Sequence, residues 1–321
     1  MKLNLSIGNI EQEGVLLINN GIYYYDKTEY DECIEYYNRA HKIFLSLGNL
    51  KNQGIVLSNM GEVYLTTCEY QKSFDALSEA KEIFEELDNF EELIPVIVLL
   101  GIFYFTIGDH QLLSELHKKT LSLLENSQIS EKYHLELLLI KNMYLIAIKE
   151  NVQISEIETV RDNYFEKEDF KNYVTVQTIL LNYLIELELL SKAEEELNSP
   201  SFIEVCNKNS IYSAYREYLL GKVTSEYKKD NALSPIEYFE NAYELLKDKS
   251  ITELTWKVLL SLAVTYTKRG NFNKAKSFII YTQDLINLIA QNIETTRFKT
   301  AYLQKKERQL AIDILEELHE S

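Results

Sequence analysis

LINNGIYYYD at residues 17–26 and LSNMGEVYLT at residues 57–66 carry asparagine, glycine and tyrosine at the same places. The spacing is constant, since 61 − 21 = 40 for the glycines and 80 − 40 = 40 for the alanines that follow in each segment. A constant interval of this size is typical of repeat proteins, in which each unit buries its apolar face against the next unit. The two segments therefore predict an array of stacked repeats.

Each repeat is predicted to be a pair of helices joined by a short turn. Apolar residues at helical spacing predict a first helix over Glu13–Asp26 and a second over Tyr30–Leu47. Gly48 follows the second helix, as expected for a residue that takes the left-handed conformation after a helix. Gly21 and Ala40 are small because the helices cross at those points, where a larger side chain would push them apart.

The composition limits the partners that this chain can have. The chain has 321 residues with 46% hydrophobic residues, only 10 glycines and 3 prolines, which favours helices joined by short turns. Its formal net charge is −17 and its pI about 4.9. A nucleic-acid-binding protein needs a basic surface, and so does a protein that binds an anionic membrane, so both partners are disfavoured. The charge instead favours a partner with some positive charge.

The remaining bulk features predict a protein of a reducing compartment, the cytoplasm. The three cysteines, Cys33, Cys68 and Cys206, include no CxxC pair and are predicted to be reduced core thiols. No signal peptide is recognised at the N-terminus. The longest apolar stretch, Leu93 to Phe105, is shorter than the roughly 20 residues of a membrane span, so a buried helix is predicted there.

The first two repeats resemble the tetratricopeptide repeat. Its small and aromatic positions are matched by Gly21, Tyr24, Tyr37, Ala40, Gly61, Tyr64 and Ala80. The interval of 40 exceeds the 34 residues typical of that repeat and resembles the longer variant of MalT and kinesin light chain. The resemblance implies an all-α fold, a right-handed superhelical α-solenoid of about seven helix-turn-helix repeats with a C-terminal capping helix.

The predicted organisation is one solenoid over residues 1–321. Clear repeats occupy residues 13–128, degenerate repeats 129–210, further repeats 211–292, and one capping helix 293–318. Within the degenerate part the helices are placed by apolar periodicity alone. We expect no additional DNA-binding or catalytic domain before the first repeat.

No pattern in the sequence predicts catalysis, a cofactor or a metal site. The five histidines include no HExxH pair, and no GxGxxG, GxxxxGK[ST] or GxSxG motif occurs. Acidic pairs such as Glu85-Glu86 have the pattern of solvated helix faces. The prediction is a protein that is not an enzyme. An enzyme with a site built from scattered residues is the weakest of the functional alternatives.

Asparagines on the first helices of the repeats suggest a peptide-binding role. The resemblance implies that Asn19 and Asn59 lie on the concave wall, where related repeats use asparagine to bind the backbone of an extended peptide. A carboxamide has a donor and an acceptor that match a peptide unit. Asn182 would be a third such residue if the fifth repeat is in register. The alternative is that these asparagines are tolerated on an exposed helix surface.

The third repeat has apolar residues at the wall positions, namely Val98, Ile102 and Phe105. These residues would anchor apolar side chains of a ligand. The alternative is that they are covered by another part of the chain or by a second copy, because soluble monomers rarely expose large apolar patches. A homo-oligomer is compatible with this pattern.

The sequence therefore predicts a non-catalytic scaffold or adaptor of a bacterial regulatory or signalling system that binds a protein or peptide. The alternative is a peptide-sensing regulator of the Rap and PlcR quorum-sensing type, whose repeats close around a short signalling peptide.

Overall fold

The computed structural model describes residues 2–124, 131–227 and 233–320, and within these ranges the regular secondary structure is entirely helical. The predicted all-α fold built from helix pairs is confirmed. The helices are α1 Lys2–Asp26, α2 Tyr30–Leu47, α3 Leu50–Thr66, α4 Tyr70–Glu86, α5 Phe90–Ile107, α6 His110–Leu124, α7 Glu131–Ala147, α8 Ile154–Glu166, α9 Phe170–Glu186, α10 Leu190–Leu197, α11 Pro200–Cys206, α12 Ser210–Glu226, α13 Pro235–Leu246, α14 Glu253–Lys268, α15 Phe272–Gln291, α16 Thr296–Gln304 and α17 Lys306–Glu320.

The chain forms two compact units. Unit 1 consists of Met1–Ile140 together with Asn292–Phe298, and unit 2 consists of Lys141–Gln291 together with Lys299–Ser321. Each unit is built from helix pairs, with α1/α2, α3/α4 and α5/α6 in unit 1. The assignment of residues 1–321 to one solenoid stays a prediction.

Glycines set the approach of the two helices within a pair, as predicted. A Cβ atom added at Gly21 would lie 2.2 Å from the Tyr37 ring, and one at Gly61 would lie 2.6 Å from Leu77. Both distances are far below van der Waals contact, so any side chain would force the helices apart. Ala40 is fully buried on the second helix of its pair.

The 40-residue interval continues through the turns of the degenerate repeats. Residues with positive φ end the first helices of the five pairs from α1/α2 to α9/α10, at Thr28, Cys68, Gly108, Lys149 and Glu188, with spacings of 40, 40, 41 and 39. A second series, Gly48, Asp88 and Glu168, ends second helices. A left-handed residue closes the last carbonyls of a helix. Most of these residues are not glycine, so the turn geometry persists where the sequence signature is lost.

Unit 2 contains the pairs α9/α10, α12/α13 and α14/α15, together with α8, the part of α7 from Lys141 onward, and one additional short helix, α11. Ser199 and Pro200 mark the start of α11. Ser199 accepts a hydrogen bond from the amide of Phe202, and Pro200 occupies the first turn, where its missing N–H costs nothing. The short α11 separates α10 from α12.

The segment 293–318, predicted as a single helix, differs from that prediction. It contains α16 and α17, with Lys305 between them. Side chains replace the helical donors at the break, because the Arg308 guanidinium donates to the Tyr302 carbonyl (2.9 Å) and the Gln309 amide donates to the Leu303 carbonyl (2.8 Å). These bonds satisfy carbonyls that a continuous helix would pair with backbone amides. No glycine or proline marks the break in the sequence.

The apolar stretch 93–105 lies within α5, which the sequence predicts to be a buried helix. By length and composition alone, α5 is apolar enough to cross a membrane, with a mean hydropathy of 2.0 over 18 residues. Half of this window is buried inside the protein, as is usual for a core helix. Phe103, for example, is fully buried.

Candidate functional site

The structure places Asn19 and Asn59 at equivalent positions of α1 and α3 in unit 1. Asn19 is exposed and Asn59 is half-buried. Among the residues that the structure describes, neither amide takes part in a hydrogen bond. The Tyr25 hydroxyl lies 3.0 Å from the Thr66 hydroxyl, so α1 and α3 are neighbours on this side. Unit 1 therefore presents two neighbouring first helices with unengaged amides.

The apolar members of the predicted wall lie on α5 of the same unit. Val98 is only 7% exposed and belongs to the core, while Ile102 and Phe105 are half-buried. Val98 is therefore buried by the rest of the chain, which was the second of the two predicted alternatives. It does not line an open surface. Ile102 and Phe105 keep part of their surface accessible.

Asn182 does not occupy the register of the other two asparagines. Cys68 ends α3 nine residues after Asn59, and nine residues before the corresponding Glu188 is Ile179. Asn182 lies three residues further along α9, in unit 2. Its amide donates to the Thr178 carbonyl (2.8 Å), and its oxygen accepts from the Lys222 ammonium (3.2 Å).

An interval of 40 also relates three polar residues of unit 2, which we call the polar column. Asn142, Asn182 and Lys222 lie at intervals of 40 on α7, α9 and α12. Asn142 is fully buried, and neither atom of its amide has a hydrogen-bond partner among the described residues. A buried amide without partners is costly. The constant interval was the signal that could have identified the column.

A cluster of charges lies beside this column, on α12, α14 and the C-terminal helices of unit 2. We call it the cation cluster and define it as Lys222, Lys257, Lys305 and Arg308 with the two carboxylates Glu253 and Glu307. Four basic groups thus share two close carboxylates, although the chain as a whole has a net charge of −17.

The cluster contains one ion pair at hydrogen-bond distance and two ion pairs at longer distances. Arg308, 1% exposed, donates to Glu253 at 2.9 Å and lies 3.6 Å from the Tyr302 ring centre. The ammonium of Lys257 is 3.8 Å from Glu307 and 4.0 Å from Glu253, beyond ordinary hydrogen-bond length. The ring of Trp256 is fully buried between cations, 5.4 Å from Arg308 and 5.6 Å from Lys257.

The pKa values in the cluster reflect both burial and the excess of positive charge. Burial, reinforced by Arg308 and Lys257, lowers the pKa of Lys305 to about 7. Burial also lowers the pKa of Lys222. The Lys257 ammonium, followed by the other cations, lowers the pKa of Glu307 to about 2 against its burial. Burial therefore disfavours the charged forms of Lys222 and Lys305, whereas the surrounding cations hold the Glu307 carboxylate in its charged form.

Unit 1 has its own contact between distant parts of the sequence, around the segment Asn292–Phe298. The Thr295 amide donates to the Gln71 side chain at 2.9 Å. Arg297 binds Asp109 through two nitrogens, at 2.5 and 2.8 Å. Burial opposes the ionisation of Asp109, but this pairing and the Leu112 amide outweigh it and lower its pKa.

The next residue of that segment, Phe298, fills an aromatic cluster. Its ring lies edge-on to Phe74 (4.7 Å between centres) and to Phe103 (5.3 Å). Such edge-to-face pairs contribute about 0.5–1.5 kcal/mol beyond area burial. The segment is thus held in unit 1 by one backbone bond, one bidentate ion pair and one aromatic anchor.

Other reactive groups form no recognisable site. Within residues 2–124, 131–227 and 233–320, no group of three or more histidine, cysteine, aspartate or glutamate side chains could hold a metal ion. Cys33, Cys68 and Cys206 are buried and form no disulfide. Burial raises the pKa of Cys206 to about 12, which suppresses its thiolate.

Structural comparison places the chain among helical-repeat proteins. A Rap protein crystallised with Competence and Sporulation Factor matches with a TM-score of 0.56 and 13% identity, over 96% of this chain and 76% of that one. The TPR2AB domain of yeast Sti1 in a pHSP90 complex matches with a TM-score of 0.35 and 15% identity, over 93% and 98%. At these identities the similarity concerns the fold alone. A search of curated protein sequences gave no significant match.

The sequence of the first two helix pairs gives a more specific assignment than the structural comparison. Residues 12–86 match the family model described as Tetratricopeptide repeat. This range holds the paired Gly21/Gly61 and Asn19/Asn59 with which the repeat interval was defined. The chain therefore contains tetratricopeptide repeats, which form its first two helix pairs.

Proposed function

We propose that this protein is a non-catalytic scaffold that binds an extended peptide segment of a partner protein on the first helices of its repeats. The observation that carries the proposal is the pair Asn19 and Asn59, equivalent residues on neighbouring helices whose amides are unengaged. Helix packing requires Gly21 and Gly61 but does not require these asparagines. Two carboxamides one repeat apart could each pair with one peptide unit of a ligand.

The charge of the chain supports a peptide partner over other macromolecules. With a net charge of −17, it would repel nucleic acid and anionic lipid and attract a segment with basic residues. Repeats of this kind serve as protein-interaction scaffolds. We place the protein in the cytoplasm, as a component of a bacterial regulatory or signalling system, without a bound cofactor.

A second candidate function is peptide sensing, in which the repeats close around a short signalling peptide. It is favoured by the similarity over 96% of the chain to a Rap protein that was crystallised with Competence and Sporulation Factor. Small-angle scattering separates the two functions. A sensor would decrease its radius of gyration on adding peptide, whereas a scaffold would keep it within experimental error.

The asparagine pair can be tested with a display library of extended peptides. We expect the double variant Asn19→Ala/Asn59→Ala to bind selected peptides at least roughly tenfold more weakly, because two hydrogen bonds of about 1 kcal/mol are lost. The matched control is Asn20→Ala/Asn38→Ala, which changes two exposed asparagines of unit 1 outside the equivalent positions. Equal affinities of wild type and the Asn19/Asn59 variant would refute the role of this pair.

A further inference from the structure

We propose that the cation cluster of unit 2 is a binding site for an oxyanion, a carboxylate or a phosphate, and that Glu307 of α17 is its internal occupant. The inference deepens the proposed function, since it names the ligand chemistry that unit 2 would recognise. It rests on residues of α12, α14 and α17, none of which belongs to the Asn19/Asn59 pair.

The first argument is the unmet demand for acceptors. Lys222 donates to the neutral Asn182 side chain at 3.2 Å, and no carboxylate of the described chain lies within ion-pair distance of it. The fully buried Trp256 has an indole N–H with no acceptor among the described residues. Lys257 has only the loose contacts at 3.8 and 4.0 Å. These groups are all donors, and an oxyanion has only acceptors.

The second argument is access. The side chain of Glu307 is 43% exposed and that of Lys257 is 27% exposed, so solvent reaches the carboxylate and the ammonium beside it. An external oxyanion can therefore approach the cluster from the side of Glu307. The Arg308–Glu253 pair, at 1% and 15% exposure, forms the closed inner wall.

The third argument is the role of Glu307 itself. All four cations of the cluster, Lys257, Lys222, Lys305 and Arg308, lower the pKa of its carboxylate. Yet its contact with Lys257 is too long for a hydrogen bond. The carboxylate thus neutralises the cluster from a distance without filling it. A ligand carboxylate or phosphate could coordinate the same cations directly and displace Glu307.

Protonation should be coupled to this binding. Lys305 faces Arg308, Lys257, Glu307 and Glu253, and with its pKa of about 7 it is only partly charged at neutral pH. Glu186 and Glu226 act on the neighbouring Lys222 from exposed positions. A bound oxyanion would favour the charged form of Lys305 and so take up a proton. The affinity for acetate, whose charge is constant over this range, should therefore fall by roughly tenfold between pH 6 and pH 8.

Trp256 is the single tryptophan of the chain and reports on the site directly. We would titrate the full chain with acetate and with inorganic phosphate at constant ionic strength, with chloride as the reference, and record tryptophan emission. We expect a saturable change with acetate or phosphate and none with chloride. The anion that binds more tightly identifies whether the site takes carboxylates or phosphates.

Two substitutions test the part played by Glu307. Glu307→Gln should strengthen oxyanion binding roughly tenfold, because the internal competitor loses its charge. Asp313→Asn, an exposed carboxylate on the same helix, should leave it unchanged. Lys257→Gln should weaken binding at least as much as Glu307→Gln strengthens it. Circular dichroism spectra confirm that each variant is folded.

Two results would overturn the inference. The cluster is an internal ion-pair network only if neither wild type nor Glu307→Gln shows a saturable change. Glu307 is not an occupant if Glu307→Gln binds no better than wild type. The Asn19→Ala/Asn59→Ala variant should give the wild-type titration, so a failed peptide assay and a failed oxyanion titration are separate outcomes.

Discussion

Unit 1 and unit 2 share one backbone interval but use their first helices differently. In unit 1 the equivalent asparagines, Asn19 and Asn59, have amides that no described residue engages. In unit 2 the polar residues that recur at intervals of 40 are Asn142, Asn182 and Lys222, of which the last two are bonded to each other. The difference shows that the same helix-pair backbone can carry unengaged amides in one unit and a charged, partly buried network in the other.

The turns explain how the backbone stays constant while the side chains change. In each helix pair from α1/α2 to α9/α10, a residue in the left-handed conformation ends the first helix. That residue is Cys68 in unit 1 and Lys149 or Glu188 in unit 2. Each non-glycine residue in this conformation costs about 1 kcal/mol or more, which the packing of the flanking helices offsets. Helix packing therefore determines the register of the repeats, and the residue types at the turns and on the first helices can vary.

The glycines at the helix crossings test whether packing dominates in both units, and they should give the largest effect. A Cβ at Gly61 would lie 2.6 Å from Leu77, and one at Gly221 would lie 2.5 Å from Phe239. We expect Gly61→Ala and Gly221→Ala each to lower the free energy of unfolding by about 1–3 kcal/mol, although alanine has the higher helix propensity. Urea denaturation measures both.

Gly48 provides the control for this pair of variants. It has φ of 63° but nothing within 4 Å of an added Cβ, so Gly48→Ala meets backbone strain alone, about 1 kcal/mol. If Gly61→Ala and Gly221→Ala cost no more than Gly48→Ala, the close crossings do not set the stability of the two units.

The next effect concerns the contact that belongs to unit 1 alone, between Arg297 and Asp109. Arg297→Ala leaves a carboxylate that is 5% exposed without its ion-pair partner, and we expect a loss of about 2 kcal/mol at pH 7. Asp109→Asn should cost less, because asparagine can still cap α6 through the Leu112 amide, as Asp109 does at 3.0 Å. The measurement is the urea midpoint of each variant.

Acid should have the same effect as the arginine substitution. The pKa of Asp109 is lowered in the folded protein, so its contribution to stability is complete above the unfolded pKa, about 3.9, and is lost as pH falls through the lower folded value. The stability difference between wild type and Arg297→Ala should therefore shrink below pH 4. A difference that persists unchanged at pH 2.5 would show that the ion pair is not its source.

The sequence predicted the helix pairs well where packing dictates residue size. The helix over Tyr30–Leu47 was predicted with its observed bounds, because Gly48 and the apolar periodicity mark them directly. The break at Lys305 was not predicted, because the side chains of Arg308 and Gln309 stabilise it and no residue of low helix propensity accompanies it. The local residue composition does not indicate that side-chain donors will replace backbone amides at this point.

The candidate sites were predicted less completely, for a similar reason. Asn19 and Asn59 were found because both the interval and the residue type repeat. Asn142 was missed because its helix was placed by apolar periodicity without the turn positions that fix the register. The cation cluster joins Lys222 to Arg308 across 86 residues (308 − 222 = 86), and only the tertiary structure brings them together.

The smallest expected effect compares two asparagines of the polar column in unit 2. Asn142 is buried with both amide atoms unpaired, whereas Asn182 is bonded to the Thr178 carbonyl and to Lys222. Leucine has the same number of side-chain heavy atoms and the same branching, and it needs no hydrogen bond. We expect Asn142→Leu to raise the free energy of unfolding by about 1 kcal/mol, because a buried polar group without partners is removed.

Asn182→Leu should have the opposite sign, a loss of about 1 kcal/mol, because it leaves Lys222 without its acceptor. Thermal unfolding of both variants under the same conditions gives the two signs. A gain at Asn142 together with weaker ligand binding would mean that unit 2 keeps an unstable residue for recognition. If Asn142→Leu lowers stability instead, the amide is already satisfied, by ordered water for instance, and the column is part of the core.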